Sequence, residues 1–394
     1  MSPTYPVIKL TPGHAKRARA GHPWVFSNEI AMDAAAKALP RGSLVVVEDA
    51  GGEKLGVAIF NPNSLIAARF LTRDPKAVID APFIIARLKK ALALRETLYP
   101  RPFYRLIHAE ADGMPGLVID RYGDVIAIQA NAAGMDLLLP QIVEALESVI
   151  APKTILLKNE SASRTLEGLE LYERVVKGSL DGAVELEENG ARFLADLAEG
   201  QKTGWFFDQR DNRAQVAALS KGRTVLDFYA YAGGFAVQAA LAGAKRVIAV
   251  DRSETALDLA QRSAGLNGVI IETARAEAFA EMERLAAANA RFGMVVADPP
   301  AFVKSKKDLE AGAKGYRKMT RLAAALVEPD GFLFVASCSH HIEPVRFAEE
   351  VRHGLANANR SGRILRALSA APDHPVHPAL PESAYLKALL LQLD

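Results

Sequence analysis

The stretch that decides the fold is Thr224-Val225-Leu226-Asp227-Phe228-Tyr229-Ala230-Tyr231-Ala232-Gly233-Gly234-Phe235. A short apolar strand ends in an acid, a glycine turn follows, and a helix begins. Downstream the pattern repeats. Val247 to Asp251 reads as a strand and Ser253 as the N-cap of a helix that ends near Gly265. A strand at Ile270-Ile271, a helix over 277–290, a strand from Met294 to Asp298, a helix over 309–327 and a strand from Phe332 to Ser337 complete the alternation. Strict strand–helix alternation predicts a mostly parallel sheet with helices on both faces.

In such a sheet, ligands bind outside the carboxyl ends of the strands. Asp227, Asp251 and Asp298 end three of these strands, and Cys338 follows a fourth. The loop is not GxGxxG, so the dinucleotide fingerprint is missing and a nicotinamide oxidoreductase is disfavoured. An acid ahead of the loop suits an ammonium group, and Asp251 suits a ribose diol through two accepted hydrogen bonds. A ligand with both is S-adenosylmethionine.

Working outward, residues 199–394 form the domain built on this sheet. Residues 1–75 read as a small β-rich module, with strands at Leu44–Val47, Leu55–Phe60 and Leu65–Phe70 and turns at Asp49-Ala50-Gly51-Gly52 and Asn61-Pro62-Asn63. Residues 76–198 read as a small α+β unit. It opens with a helix after Asp80 and Pro82, has a second helix over 136–150, and closes with a hairpin around Asn189-Gly190.

Composition narrows the class. Half of the 394 residues are hydrophobic and 24% are charged, ordinary for a globular protein. The single cysteine excludes an intrachain disulfide and a cysteine zinc cluster, fits a reducing compartment, and leaves no metal site expected. No run approaches the ~18 apolar residues of a membrane span, and no signal peptide is visible, so the expected location is the cytoplasm. Net charge is only +2, but two stretches are locally basic. One holds Lys16, Arg17 and Arg19; the other holds Lys304, Lys306, Lys307, Arg317 and Arg321. Each is read as phosphate-contacting surface.

These residues resemble the class I S-adenosylmethionine methyltransferases. The motifs Glu110-Ala111-Asp112-Gly113-Met114-Pro115-Gly116-Leu117-Val118-Ile119-Asp120-Arg121-Tyr122, Gly200-Gln201-Lys202-Thr203-Gly204, Phe207-Asp208-Gln209-Arg210-Asp211-Asn212-Arg213, Asp298-Pro299-Pro300-Ala301-Phe302, Ser337-Cys338-Ser339-His340-His341, His374-Pro375-Val376-His377-Pro378 and Pro381-Glu382-Ser383-Ala384-Tyr385-Leu386-Lys387 sharpen it. Together they resemble the bacterial large-subunit ribosomal RNA cytosine-5 methyltransferases that carry an N-terminal PUA domain. The resemblance runs from His22-Pro23-Trp24 to the C-terminus. It implies a PUA β-barrel, a small α+β domain and a Rossmann-like methyltransferase domain with a seven-stranded, mostly parallel sheet. It also implies cofactor contacts at Gln209, Arg213, Asp227, Tyr229, Gly233, Asp251, Arg252, Glu277 and Asp298. The chain departs from the family at Ala230 and Ala232, where hydroxyl residues are common, and at Glu277, where Asp is common. The implied partner is large-subunit ribosomal RNA, naked or partly assembled, bound by a monomer or homodimer.

The chemistry follows from the residue types. Carbon 5 of cytosine is a poor nucleophile until a thiolate adds at carbon 6, and Cys338 is the one thiol available. Asp298 is expected to hold the base, and Phe302 to stack on it once it leaves the helix. The alternatives are a base-nitrogen methyltransferase, which would use Asp298-Pro299-Pro300 without an adduct, and a non-catalytic RNA-binding assembly factor.

Overall fold

The computed structural model describes residues 4–198, 200 and 203–394. Gln201 and Lys202 of the quoted glycine-flanked motif lie outside them. The chain forms two compact units. One contains the described residues of Met1–Gly182, Asp196–Trp205 and Pro372–Pro381; the other contains Ala183–Ala195, Phe206–Ala371 and Glu382–Asp394.

The first unit holds two five-stranded sheets. Strands β1 (Val7–Lys9), β2 (Trp24–Val25), β3 (Ser43–Glu48), β4 (Lys54–Phe60) and β5 (Ala68–Thr72) assemble in the order β1-β3-β4-β5-β2. Only β1 and β3 are parallel. Ile8, Val45, Val47, Ala58 and Phe60 form the core of this sheet. Asp49 makes the β3–β4 turn by accepting from the Gly51 and Glu53 amides, both at 2.8 Å. The strand expected from Leu65 starts later, at Ala68. The turn closed by Ser64 N–H on the Asn61 carbonyl leaves Leu65 72% exposed.

The second sheet has the order β10-β9-β8-β7-β6, from β6 (Phe103–His108), β7 (Leu117–Tyr122), β8 (Val125–Ala130), β9 (Thr154–Asn159) and β10 (Tyr172–Lys177). The helix Ala81–Leu98 is capped by Asp80, which accepts from Phe83 N–H at 3.0 Å, and buries Ile84, Leu88, Ala91 and Arg95. The helix expected over 136–150 is two helices, Ala133–Leu137 and Leu139–Val149. Pro140, in the first turn of the second, sets the break at Leu138.

This unit is held by buried ion pairs. Arg95 is fully buried, grips Asp112 with two hydrogen bonds of 2.8 and 2.7 Å, and donates to the carbonyls of Arg105 and Asp373. Arg105 grips Asp120 in the same two-pronged way, at 2.9 Å each. The Asp373 carboxylate accepts from Arg105 N–H and from the His374 ring. The returning segment Pro372–Pro381 is thereby tied into this unit, and the acids of the Glu110–Tyr122 motif serve as its framework.

In the second unit, β11 (Val184–Glu188) and β12 (Ala191–Ala195) make the expected hairpin, with Asn189 and Gly190 at φ +53° and +78°. The expected domain 76–198 contained this hairpin, but it packs with the downstream sheet. Arg192 N–H donates to Asn267 and Leu194 N–H to Ser263, both near the end of the helix Glu254–Leu266.

The seven-stranded sheet is the α/β core expected from the alternation. Its strands are β13 (Thr224–Phe228), β14 (Arg246–Asp251), β15 (Glu272–Arg275), β16 (Phe292–Ala297), β17 (Val327–Ser337), β18 (Gly362–Ser369) and β19 (Lys387–Leu393), in the order β15-β14-β13-β16-β17-β19-β18. The first five are mutually parallel; β19 runs antiparallel between β17 and β18. The strand expected at Ile270-Ile271 lies at Glu272–Arg275 instead. Gly268, at φ +66°, and Val269 N–H on the Ala264 carbonyl still belong to the helix end, and Ile270 is 89% exposed. Among the described residues no helix is long and apolar enough to cross a membrane.

Candidate active site

The sheet register brings the ends of the parallel strands level. Asp227 pairs with Ala249 and Val296, Asp251 with Arg275, and Ala297 with Val335. Asp227 (one residue before the end of β13), Asp251 (the last of β14), Asp298 (just after β16) and Cys338 (just after β17) therefore share one rim.

The glycine loop between β13 and the helix Gly234–Leu241 is tightly built. Ala230 N–H reaches the Val250 carbonyl, and Tyr231 N–H donates to Asp251 at 3.0 Å. Gly233 has φ +80°, and a Cβ there would lie 2.7 Å from that of Ala260; one on Gly234 would meet the Arg213 guanidinium at 2.4 Å. No larger residue fits either place. Tyr229 and Tyr231 also take positive φ, +62° and +48°, which is strain concentrated at the rim.

Asp227 is the electrostatic centre. One carboxylate oxygen accepts from Ala236 N–H at 3.1 Å; the other is buried without a hydrogen-bond partner among the described residues. Burial pushes its carboxyl well above the usual range, and the charges of Asp298 and Asp251 add to the effect. Three acids crowded at one buried place, one with an open acceptor, fit a ligand carrying positive charge. The Tyr229 hydroxyl is likewise buried without a partner, and burial, then the charge of Glu277, drives its pKa far upward.

The remaining sequence-derived cofactor residues are placed as follows. Asp251 accepts from Tyr231 and Ser253 N–H groups. Arg252 is exposed. Glu277 is exposed and caps the helix Ala278–Ala287 through Phe279 N–H. Gln209 donates to the Asp298 carboxylate at 2.8 Å. Arg213 lies under the loop and pairs with the buried Glu188 at 2.8 Å, joined there by Gln238. Its recorded ion pair ties the hairpin to the loop.

Cys338 is half-buried, with Sγ 4.0 Å from the Pro299 carbonyl. Two residues beside it have no role in the sequence reading. The Tyr316 hydroxyl accepts from Ser337, shares a 2.8 Å bond with Ser339, and accepts from Phe302 N–H at 3.3 Å. It links the Asp298 loop to the Cys338 loop. Lys387, the first residue of β19, donates to the carbonyls of Ser339 and Ile342. In sequence Lys387 closes the motif Pro381-Glu382-Ser383-Ala384-Tyr385-Leu386-Lys387, which carried the resemblance but gave the lysine no role.

Phe302, expected either as a stacking platform or as core packing, is half-buried and lies against the rings of Phe279 and Tyr316, with centroids 5.9 and 4.7 Å away. The basic residues divide in two. Lys16, Lys304, Lys306 and Lys307 are exposed. Arg317 is tied to Glu350 at 2.7 Å, Arg19 to Asp49 and Glu53, and Arg17 to the His22 ring and, at 3.7 Å, to Glu29.

This sheet order, with an acid-rimmed glycine loop at the strand ends, defines an S-adenosylmethionine-dependent methyltransferase. Residues 8–73 match the PUA-like domain, and residues 173–392 match the S-adenosylmethionine-dependent methyltransferase family. Proteins named ribosomal RNA large subunit methyltransferase I are similar along the whole chain. That of Aeromonas salmonicida is 36% identical, covering 98% of each chain. That of Vibrio cholerae is 37% identical, covering 97% of this chain and 98% of its own. Among solved structures, a methyltransferase complexed with SAH superposes with a TM-score of 0.83 at 18% identity, covering 98% of this chain and 99% of that one. The chain belongs to the ribosomal RNA large subunit methyltransferase I family, and its cofactor is S-adenosylmethionine.

Proposed function

We propose that the protein methylates carbon 5 of a cytosine in large-subunit ribosomal RNA, with Cys338 as nucleophile. The observation that carries this is the placement of the only thiol at the rim of Asp227, Asp251 and Asp298, against the Asp298-Pro299-Pro300 loop. The relatives' names supply the substrate class.

When bound, S-adenosylmethionine supplies an electrophilic methyl group on a sulfonium. The unpartnered oxygen of Asp227 receives the ligand's ammonium group, Asp251 the ribose hydroxyls, and Tyr229, Arg252 and Glu277 complete its surroundings. Gln209 and Arg213 act from behind, through Asp298 and the glycine loop. The Cys338 thiolate forms a bond to carbon 6, and the electrons of the ring double bond move to carbon 5, which takes up the methyl group as the sulfur–methyl bond breaks to leave a neutral thioether. A base then removes the carbon-5 proton, the double bond re-forms, and the carbon–sulfur bond breaks to return the thiolate. The Asp298 carboxylate, oriented by Gln209, accepts from the exocyclic amine of the cytosine.

The PUA-like residues 1–75, a middle domain from 76 to about 182 and a methyltransferase domain that takes in the hairpin of β11 and β12 make the working protein, and the cytoplasm is where it meets its RNA. Lys16, Lys304, Lys306 and Lys307 carry the phosphate contacts more than the acid-paired Arg17, Arg19 and Arg317. The test is mass mapping of large-subunit RNA from cells with the gene, without it, and with Cys338→Ala. One 5-methylcytosine should vanish in both altered strains. A methyl group on a base nitrogen that survives Cys338→Ala would replace this reading with an adduct-free one.

A further inference from the structure

Lys387, the first residue of β19, is 7% exposed. In register it stands opposite Ser337 of β17 on one side and Ser369 of β18 on the other, so it is a cross-strand neighbour of the residue preceding Cys338. A buried ammonium normally pairs with a carboxylate. Among the described residues Lys387 has no carboxylate within ion-pair distance. Its two recorded hydrogen bonds, 2.5 and 2.8 Å, go to the carbonyls of Ser339 and Ile342, which belong to the loop leaving Cys338. Burying a charge in this way costs stability, and the framework alone does not need it: a neutral donor could satisfy two carbonyls.

We infer that Lys387 is a positioning residue for Cys338, its buried ammonium fixing the loop that carries the thiol and favouring the thiolate by its charge. This rests on Cys338 being the nucleophile. Burial brings the Lys387 pKa down to about 8, while the charges of Cys338 and Glu343 hold it up. The lysine therefore remains charged at neutral pH, and a thiolate at Cys338 favours that state. Besides the Asp298 carboxylate, whose loop meets Cys338 at the Pro299 carbonyl and whose negative charge opposes the thiolate, the other titratable groups of this neighbourhood are Tyr316, from the helix Leu309–Ala325, whose burial raises its pKa, and His340 and His341, which continue the loop. The His340 ring lies 5.1 Å from that of Tyr385. None of the three supplies a buried permanent cation.

The experiment uses the full chain and the fact that it has one cysteine. The rate of iodoacetamide alkylation against pH reports Cys338 alone. In the unaltered protein the midpoint should fall below the roughly 8.5 of a free thiol. Lys387→Met should raise it by about 1 unit and slow alkylation at pH 7 three- to tenfold, the lower figure allowing for the greater nucleophilicity of a more basic thiolate. Lys387→Arg should keep the rate within about twofold, since the charge persists. Loss of methylation in Lys387→Met should appear in kcat, with the KM for S-adenosylmethionine unchanged.

A folded Lys387→Met protein with the original midpoint overturns the inference, as does an arginine variant that behaves like the methionine one. Should the methionine variant not fold, the midpoint of the unaltered protein decides: at or above the free-thiol value, the ammonium does not assist. Methylation that survives Cys338→Ala would remove the nucleophile itself, a separate failure that leaves the alkylation result to speak for the lysine.

Discussion

Two groups of buried charges use the same chemistry in opposite ways. In the first unit, Arg95 with Asp112 and Arg105 with Asp120 are closed, two-pronged pairs, and Asp120 gains a further donor in Thr203. At the rim of the seven-stranded sheet, Asp227, Asp251 and Asp298 crowd together, and one oxygen of Asp227 has no donor among the described residues. Closed pairs hold a framework and ask for nothing more. Crowded acids with an open acceptor carry a cost that a cationic ligand relieves. The contrast separates residues that build the protein from those we propose receive its cofactor.

The largest effect should come from breaking the closed side. Removing one partner of a buried ion pair leaves the other charge stranded, so Arg95→Ala should destabilise the first unit by about 3–5 kcal/mol. Denaturant melts followed by tryptophan fluorescence would read it, since both tryptophans, Trp24 and Trp205, lie in that unit. A change below 1 kcal/mol would mean that the network is not what holds that unit.

The open side should respond with the reverse sign. The raised Asp227 carboxyl keeps its proton in the folded state beyond the pH at which the unfolded chain releases it. Stability of the cofactor-free protein should therefore fall as pH rises above the usual carboxylate range. Asp227→Asn should remove that slope and raise the melting temperature at pH 7 relative to the unaltered protein. The same change should weaken S-adenosylmethionine by about 1.5–3 kcal/mol, the value of a hydrogen bond to a charged group. Calorimetry in buffers of different ionisation enthalpy should show proton release on binding, and no release in Asp227→Asn. Equal stability and equal affinity in the variant would erase the distinction between the two sites.

The smallest effect concerns the exposed lysines. Neutralising Lys304, Lys306 and Lys307 should flatten the log–log salt dependence of RNA binding by about 0.7 per lost contact to single-stranded RNA. Neutralising Arg19, whose charge is already met by Asp49 and Glu53, should change it less. A slope insensitive to the lysines would make them a solvated face.

The acids and the thiol were legible because strand–helix alternation alone says which residues end parallel strands, and Asp227, Asp251, Asp298 and Cys338 sit at those ends. Gly233 was legible for the same reason, as the turn into the first helix. Lys387 was not, because its place depends on β19 inserting antiparallel between β17 and β18, a long-range choice that periodicity does not encode. Tyr316 was hidden by helical spacing, which marks it as a core aromatic and says nothing of the hydroxyl that joins two loops. Phe302, Arg317, Arg19 and Arg17 looked available for RNA in one dimension; their partners Tyr316, Glu350, Asp49 and Glu29 come from other segments. The hairpin around Asn189-Gly190 was read correctly as a hairpin, but its packing against Ser263 and Asn267 is again tertiary.

The central claim is covalent catalysis by Cys338, and a suicide substrate tests it most directly. Large-subunit RNA carrying 5-fluorocytosine cannot lose fluorine as a proton from carbon 5, so the adduct should stall after methyl transfer. The protein incubated with this RNA and S-adenosylmethionine should form a complex that survives denaturing electrophoresis, with mass spectrometry placing the crosslink on Cys338. Cys338→Ala should form none while binding S-adenosylmethionine normally. Turnover by the alanine variant, with no trapped complex in either protein, would contradict the account.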